Sequence, residues 1–440
     1  MIINIFVYVL MQQAIQAFLL IPKDSDFTIK NIPFGVASKP NGNPFPATII
    51  GDSVINLAKL EELGYFNGPL FSTLGSKVFD SGNLNKFVSL SRPYWKEVRS
   101  QIQSLFQCGS QLENNQEALA QIITPVQDIQ NHLPITIGEY TDFYSSKNHA
   151  FNMGSIIRGP DNAMQPNWYY LPVGYHGRRS SIVIDGTDIR RPWGQVKAPT
   201  AEKPSFTKCK RLDYELEIGA VIGGAPNNLG EPIKVNQAED RVFGFVILND
   251  WSARDVQVWE YVPLGPFGAK NFASTISPWI VSIEALEPFR IQLPEQDPEP
   301  FIYLKEKNHT SFDIRLEVLI GTEKSPELEH FTTSNFKYMY WSVNQQIAHH
   351  SITGCNIQPG DLFGSGTISG TTKDGRGCLM EYTWNGKEPL VLKSGEQRLF
   401  LEDGDVLEMR GYAGEGENRV GFGRCKGKIL PALDEAYFQS

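Results

Sequence analysis

Residues 214–222 read Tyr214-Glu215-Leu216-Glu217-Ile218-Gly219-Ala220-Val221-Ile222. Polar and apolar side chains alternate at period two, which predicts a β-strand with Glu215 and Glu217 on one face. Leu216 and Ile218 point the other way, into a core. Two carboxylates side by side on a mostly buried strand repel unless something positive lies between them. The bland alternative is an edge strand whose Glu side chains lie in water. The apolar run that follows favours an interior strand, and with it a hard divalent cation, Mg²⁺ or Ca²⁺, both of which take carboxylate oxygens.

Further along, Arg241-Val242-Phe243-Gly244-Phe245-Val246-Ile247-Leu248 is a continuous apolar run, expected to be a strand buried on both faces that delivers Asn249-Asp250 at its end. Ser252, with Asp255 three residues on, resembles a capping box and predicts a helix start. On that helix Arg254, Gln257 and Tyr261 form one polar stripe, while Val256 and Trp259 supply a core face. The stripe is either a substrate clamp or a solvated surface. Pro263 ends the helix, and the loop 265–269 places Lys270.

Upstream, Thr141-Asp142-Phe143-Tyr144 puts an acid and a phenol on one face, and His149 follows in an expected polar loop. A lone His is structural or catalytic, and spacing leaves both open. Leu379-Met380-Glu381-Tyr382 is expected to place a single Glu inside an apolar strand, where an unpaired carboxylate is costly. The glycine-rich turn 364–370 lacks a GxGxxG opening a helix. With no Walker lysine motif and no G-x-S-x-G elbow, nucleotide binding and the usual serine-hydrolase geometry are disfavoured.

The chain has 440 residues, enough for two domains, with 41% apolar and 20% charged residues as in an ordinary soluble protein. A net charge of −9 argues against nucleic acid or an anionic membrane as main partner. Five scattered cysteines with no CxxC fit reduced thiols in a cytoplasmic protein, read as small buried hydrophobes. The apolar start, Met1 to Met11, is too short to span a bilayer, which needs about 20 residues, and lacks a basic segment.

Several local elements are also expected. A hairpin turns at Gly51-Asp52, and a short helix after it ends at Gly64. A helix after Ser91-Arg92-Pro93 presents Trp95, Val98, Ile102, Leu105 and Phe106 on one face. Helices are predicted over 116–130, broken at Pro125, and over 335–351. Polar loops are expected over 194–208 and 287–300, and a hairpin over 398–411 around Asp403-Gly404. The N-terminal third carries no charged or His cluster and is read as structural or as a substrate lid.

Longer strings carry a resemblance: Tyr-Thr-Asp-Phe-Tyr-Ser-Ser at 140–146, Leu-Pro-Val-Gly-Tyr-His-Gly-Arg at 171–178 and Asn-Asp-Trp-Ser-Ala-Arg-Asp at 249–255. With Glu215-Leu216-Glu217, the loop 263–267 and Ser-Gly-Thr-Ile-Ser-Gly at 365–370, they resemble the fumarylacetoacetate hydrolase family from about Ile21 to Leu433. The resemblance implies a mainly β fold with some α: a small SH3-like N-terminal barrel over 21–133, then a mixed β-sandwich roll over 134–440, assembled as a homodimer. Residues 1–20 have no recognised counterpart.

It further implies metal-dependent hydrolysis of the C–C bond of fumarylacetoacetate, a diacid 1,3-diketone, to fumarate and acetoacetate at the end of tyrosine and phenylalanine breakdown. By position, Asp142, Glu215, Glu217 and Asp250 would hold Mg²⁺ or Ca²⁺, with Lys270 and Ser274 beside it. His149 would be the general base, oriented by Glu381. Arg254, Gln257 and Lys270 would line the oxyanion site, and Tyr144, Arg158, Tyr175, Gln257, Tyr261 and Thr367 would hold the substrate. Ser274 stands where the family has threonine, and Gly268 where it has leucine. Related enzymes of the same fold cleave acylpyruvates, decarboxylate oxaloacetate or hydrate dienoates. The rival from another class is a non-catalytic Ca²⁺-stabilised binding protein, which leaves His149, Glu381 and the Arg-Gln-Lys set without a reason to converge.

Overall fold

The computed structural model describes residues 16–439. The reading of Met1 to Met11 lies outside the described residues. Five antiparallel strands form the first sheet, in the order Ile123–Pro125, Ser53–Asn56, Phe45–Ile50, Phe34–Ser38, Gln130–His132, a half-barrel of the SH3-like kind. The expected hairpin is present, with Ile50 paired to Ser53 and Gly51 at φ +55°. The helix Arg92–Phe106 follows Ser91 with Pro93 in its first turn, where a missing N–H costs nothing. Its Trp95, Val98, Ile102, Leu105 and Phe106 are buried as the spacing predicts, each worth about 1.5–3 kcal/mol of transfer free energy.

The central sheet is organised around Leu216–Ile222. Its strands run in the order Gly174–His176, Tyr140–Phe143, Leu362–Gly364, Leu216–Ile222, Val242–Asp250, Ser274–Ile276, Ile182–Ile184, with Val281–Ser282 also paired to Val242–Asp250. Every residue of Leu216–Ile222 and of Val242–Asp250 is buried, because both faces of this sheet are covered. On one face Ile218, Ala220 and Ile247 share a core with Leu316, Val318 and Met409. These last belong to a second sheet, ordered Glu329–Asn335, Arg315–Gly321, Val406–Ala413, Val420–Leu430, Ile189–Arg190. Gly411 lets the sheets approach, since a Cβ there would lie 2.5 Å from Ile247 Cδ1. On the other face Val221, Val246 and Leu248 pack with Phe34, Phe87 and Trp95 of the N-terminal part. Glu217 and Asp250 belong to this second face, by alternation from Val221 and Leu248.

Several local expectations are corrected. The helix predicted over 116–130 ends at Ile122, and Ile123–Pro125 becomes an edge strand, where proline is tolerated. The helix predicted over 335–351 begins only at Val343, because Ser342 and Gln345 close a capping box there; residues 336–338 form a 3₁₀ turn. Residues 194–208 are largely a hairpin of Trp193–Val196 with Ser205–Lys208. Residues 287–300 begin with a 3₁₀ turn and the strand Arg290–Gln292 before becoming irregular. No hairpin spans 398–411: Gln397–Arg398 pairs with Leu390–Val391, and Val406–Ala413 pairs with Arg315–Gly321 and Val420–Leu430. Arg398 instead grips Asp405 through two 2.9 Å bonds across the Asp403-Gly404 turn. Cys209, Cys378 and Cys425 are buried as expected, whereas Cys108 is exposed and Cys355 partly so. Among the described residues, no helix is long and apolar enough to cross a membrane.

Candidate active site

Four carboxylates arrive from three strands of the central sheet. Asp142 lies in Tyr140–Phe143, Glu217 at the start of Leu216–Ile222 with Glu215 just ahead of it, and Asp250 ends Val242–Asp250. Each offers an oxygen within 4.8 Å of the others, and all four residues are buried. Asp142 Oδ1 and Glu217 Oε1 have no hydrogen-bond partner. Burial, together with the neighbouring Asp250, pushes the Asp142 carboxyl well above its ordinary range. Burial and Asp142 do the same to Glu217. Two orphaned, mutually repelling oxygens in an all-oxygen donor set fit a hard divalent cation. Gly364 makes room for them: a Cβ there would lie 2.9 Å from both Asp142 Oδ1 and Glu217 Oε2.

Lys270 Nζ donates to Glu215 Oε2, and to Asp250 Oδ2 at 2.6 Å. Ser274 keeps the hydroxyl that threonine would bring, donating to Asp250 Oδ1 at 3.0 Å. Tyr175 also donates to Asp250, at 3.0 Å, so its hydroxyl holds a carboxylate of the cluster. Glu215 differs from the other three. Burial would raise its carboxyl, but Arg254, Lys270 and His149 outweigh this and hold it low. The Gly268 departure leaves the Lys270 loop anchored, because Glu260 Oε1 accepts from Phe267 N at 3.0 Å and Ala269 N at 2.7 Å.

His149 sits in the helix Lys147–Arg158, not in a polar loop. Glu381 sits in the short helix Leu379–Tyr382, not in a strand. The two meet across 232 positions of sequence, with His149 Nδ1 2.6 Å from Glu381 Oε2. The other ring nitrogen, Nε2, lies 3.9 Å from Glu215 Oε1, facing the acidic cluster. Glu381 is far from unpaired: Asn152 Nδ2 donates to Oε1 at 2.9 Å, and Ser369 Oγ and Cys378 Sγ donate to Oε2 at 2.8 and 3.2 Å. Burial would raise its carboxyl, but His149 and these donors more than reverse that, leaving it below the ordinary range. The sequence does not mark Asn152 or Ser369 as partners of Glu381, because they arrive from separate segments, and Cys378, three residues before Glu381, is read there only as a small buried hydrophobe.

The helix Arg254–Glu260 carries the expected stripe, but its start differs. Ser252 and Ala253 form a strand pair with Leu212–Asp213, and no side chain caps the helix. Asp255 turns back to accept from Lys210 N at 2.8 Å and Cys209 Sγ at 3.0 Å. Trp259 is exposed rather than core, leaving Val256 to make the buried contact. Arg254 is buried: Nε donates to Asp213 at 2.9 Å, Nη1 donates to Gln257 Oε1 at 3.1 Å, and Nη2 lies 2.9 Å from Glu215 Oε1 without hydrogen-bond geometry.

Asp142, His149, Glu215, Glu217, Arg254 and Gln257 border one cavity of about 410 Å³, which also takes in Tyr144, Arg158, Tyr175, Tyr261, Lys270 and Thr367. Arg158 lies at the exposed rim, its guanidinium fixed on Asn162 O and Ala163 O at 3.1 and 2.6 Å. Thr367 Oγ1 is buried without a partner. The Tyr144 ring meets His149 edge-on at 5.2 Å. Between the polar groups the wall is apolar, built from Met153, Met164, Trp168, Val173, Val258 and Leu264. Of the residues expected at the site, Asp250 and Glu381 stand behind the lining, bonded to Lys270 and His149, and Ser274 stands one step further back, bonded to Asp250.

The family model described as fumarylacetoacetase N-terminal matches residues 30–134, and that of the fumarylacetoacetate hydrolase C-terminal domain matches residues 139–429. A fumarylacetoacetase of Dictyostelium discoideum is 48% identical over 424 residues, covering 95% of this chain and 98% of its own. The Bos taurus fumarylacetoacetase is 47% identical, covering 96% of this chain and 100% of its own. A solved fumarylacetoacetate hydrolase from psychrophilic Exiguobacterium antarcticum superposes with a TM-score of 0.50 at 15% identity, covering 91% of this chain and 99% of that one, a likeness of fold. Two domain matches in sequence order and near-half identity along almost the full length place the chain in the fumarylacetoacetate hydrolase family.

Proposed function

We propose that this chain is an enzyme that hydrolyses the C–C bond of 4-fumarylacetoacetate, giving fumarate and acetoacetate, as the last step of tyrosine and phenylalanine catabolism. Near-full-length identity to fumarylacetoacetases supports the reaction. The observation that carries it is a buried His149–Glu381 pair whose free nitrogen faces four carboxylates across one cavity. That pairing answers the rival of a metal-stabilised binding protein, which has no use for an oriented base.

In this reading Asp142, Glu215, Glu217 and Asp250 hold Mg²⁺ or Ca²⁺, with Lys270 and Ser274 hydrogen-bonded to the carboxylates. A cation held there would supply Lewis-acid stabilisation of negative charge developing on the diketone. Glu381 accepts the Nδ1 proton of His149, which fixes the tautomer and leaves Nε2 with a lone pair to take a proton from water. The proton held at Nε2 then goes to the departing carbon, balancing the cleavage. Lys270, Arg254 and the Gln257 amide N–H₂ supply donors for the tetrahedral oxyanion. Arg158 at the rim, with Tyr144, Tyr175, Gln257, Tyr261 and Thr367, holds the carboxylates and carbonyls of the diacid, while the apolar wall covers its carbon chain. Residues 21–133 and 134–440 act as the two domains, and the enzyme works as a cytoplasmic homodimer. Exposed Val262, Leu264 and Phe267 give an apolar surface beside the cavity mouth for such a contact.

The test is direct: purified protein is incubated with fumarylacetoacetate and loss of diketone absorbance is followed. Rates on acetopyruvate are expected to be lower by orders of magnitude, since that substrate lacks the second carboxylate. Comparable specificity for the two would move the assignment to the acylpyruvase branch.

A further inference from the structure

Asp213 belongs to none of the expected site groups, yet it is fully buried and accepts four hydrogen bonds. Its Oδ1 takes the N–H of Tyr214 at 2.9 Å and of Leu379 at 2.7 Å. Its Oδ2 takes the N–H of Met380 at 3.0 Å and Arg254 Nε at 2.9 Å. Leu379 and Met380 open the short helix that carries Glu381, so one carboxylate fixes both that helix and the Arg254 guanidinium. Through the first it sets the acceptor of His149 Nδ1. Through the second it sets the guanidinium that reaches Gln257 and lies against Glu215.

Resting on the proposed reaction, we infer that Asp213 is a positioning residue that holds the base pair His149–Glu381 and the oxyanion donor Arg254 in mutual register. A carboxylate suits the task because all four of its partners are donors. An amide at this position would turn an N–H₂ toward two of them, and a glutamate would push the acceptor oxygens out by one methylene. In either case the Glu381 helix and Arg254 lose the shared acceptor that sets their relative position.

The experiment is a set of double-mutant cycles on the full chain, with wild-type hydrolysis of fumarylacetoacetate measured first, so that absence of turnover there counts against the proposed function and not against Asp213. Asp213→Asn is combined separately with Glu381→Gln and with Arg254→Gln. A positioning role predicts a 10- to 100-fold fall in kcat for Asp213→Asn with KM changed less than threefold, and a clear shrinkage of that loss in each second background. Losses that multiply fully in both backgrounds, or a loss confined to KM, overturn the proposal. If Asp213→Asn does not fold, by circular dichroism and thermal melting, the same cycles are run on Asp213→Glu. Failure of both variants to fold marks Asp213 as a folding residue and also overturns the proposal.

Discussion

Glu381→Gln is the sharpest perturbation of the base pair, because its consequences can be worked out bond by bond. Glu381 Oε2 accepts from His149, Ser369 and Cys378, whereas Oε1 accepts only from Asn152. A glutamine keeps its carbonyl in the crowded position and turns its N–H₂ toward Asn152, whose amide can flip to accept. Packing is therefore preserved, and the variant should melt within a few degrees of wild type. What is lost is charge. A hydrogen bond to an ionised group is worth about 1.5–3 kcal/mol against about 0.5–1.5 for a neutral one. His149 acquires positive charge as it takes the proton, so about 1–2 kcal/mol of stabilisation goes missing in the transition state. That corresponds to a fall in kcat of about 5- to 30-fold. His149→Ala should lose about 10²–10⁴-fold, the usual scale for a general base. Adding Glu381→Gln to it should then cost little more, since both act through one proton transfer. Steady-state kinetics at saturating substrate, with circular dichroism as fold control, reads all three variants. Full turnover in Glu381→Gln, or a full further loss on top of His149→Ala, would rule out Glu381 as the partner of a catalytic His149.

Other consequences follow from the same geometry. Gly364→Ala places a methyl 2.9 Å from two carboxylate oxygens, an overpacking of about 1–3 kcal/mol, so Mg²⁺ or Ca²⁺ affinity by calorimetry should weaken about 5- to 150-fold. Chelation should abolish turnover and added Mg²⁺ or Ca²⁺ restore it, while Glu217→Gln should lose metal, by mass spectrometry, far more than it loses thermal stability. The Asp185 carboxyl is pushed up from 3.8 to about 6, chiefly by burial, although Lys426 N donates to it at 2.8 Å. A carboxyl raised on folding favours the native state while protonated, so its contribution is present below pH 3.8 and lost as pH rises through 6. Asp185→Asn should therefore stabilise the fold by about 1–2 kcal/mol above that range, discounted for partial exposure, and gain nothing near pH 4. Urea melts at both pH values check the sign.

Much of the fold was legible wherever burial is two-sided or a period is clean. Residues 216–222 and 242–250 announce themselves as interior strands, and the face of the helix Arg92–Phe106 is read correctly down to five named side chains. Local patterns misled where tertiary pairing outweighs propensity. Ile123–Pro125 leaves its helix because a strand edge is open to it, and the Glu381 segment is a helical turn where its apolar flanks suggested a strand. The candidate site splits along the same line. The carboxylates on strands are visible as an acidic pattern, but His149, Asn152 and Ser369 reach Glu381, and Arg254, Leu379 and Met380 reach Asp213, from other segments. No spacing rule sees them.

Whether the oriented base and the four-carboxylate cluster serve cleavage of one diketone is decided by following fumarylacetoacetate with the purified chain, before and after chelation. Loss of diketone absorbance is expected, with equimolar fumarate and acetoacetate formed, abolished by chelator and restored by a divalent cation. Undiminished fumarylacetoacetate in the presence of cation, with a folded protein that binds the metal, would contradict it.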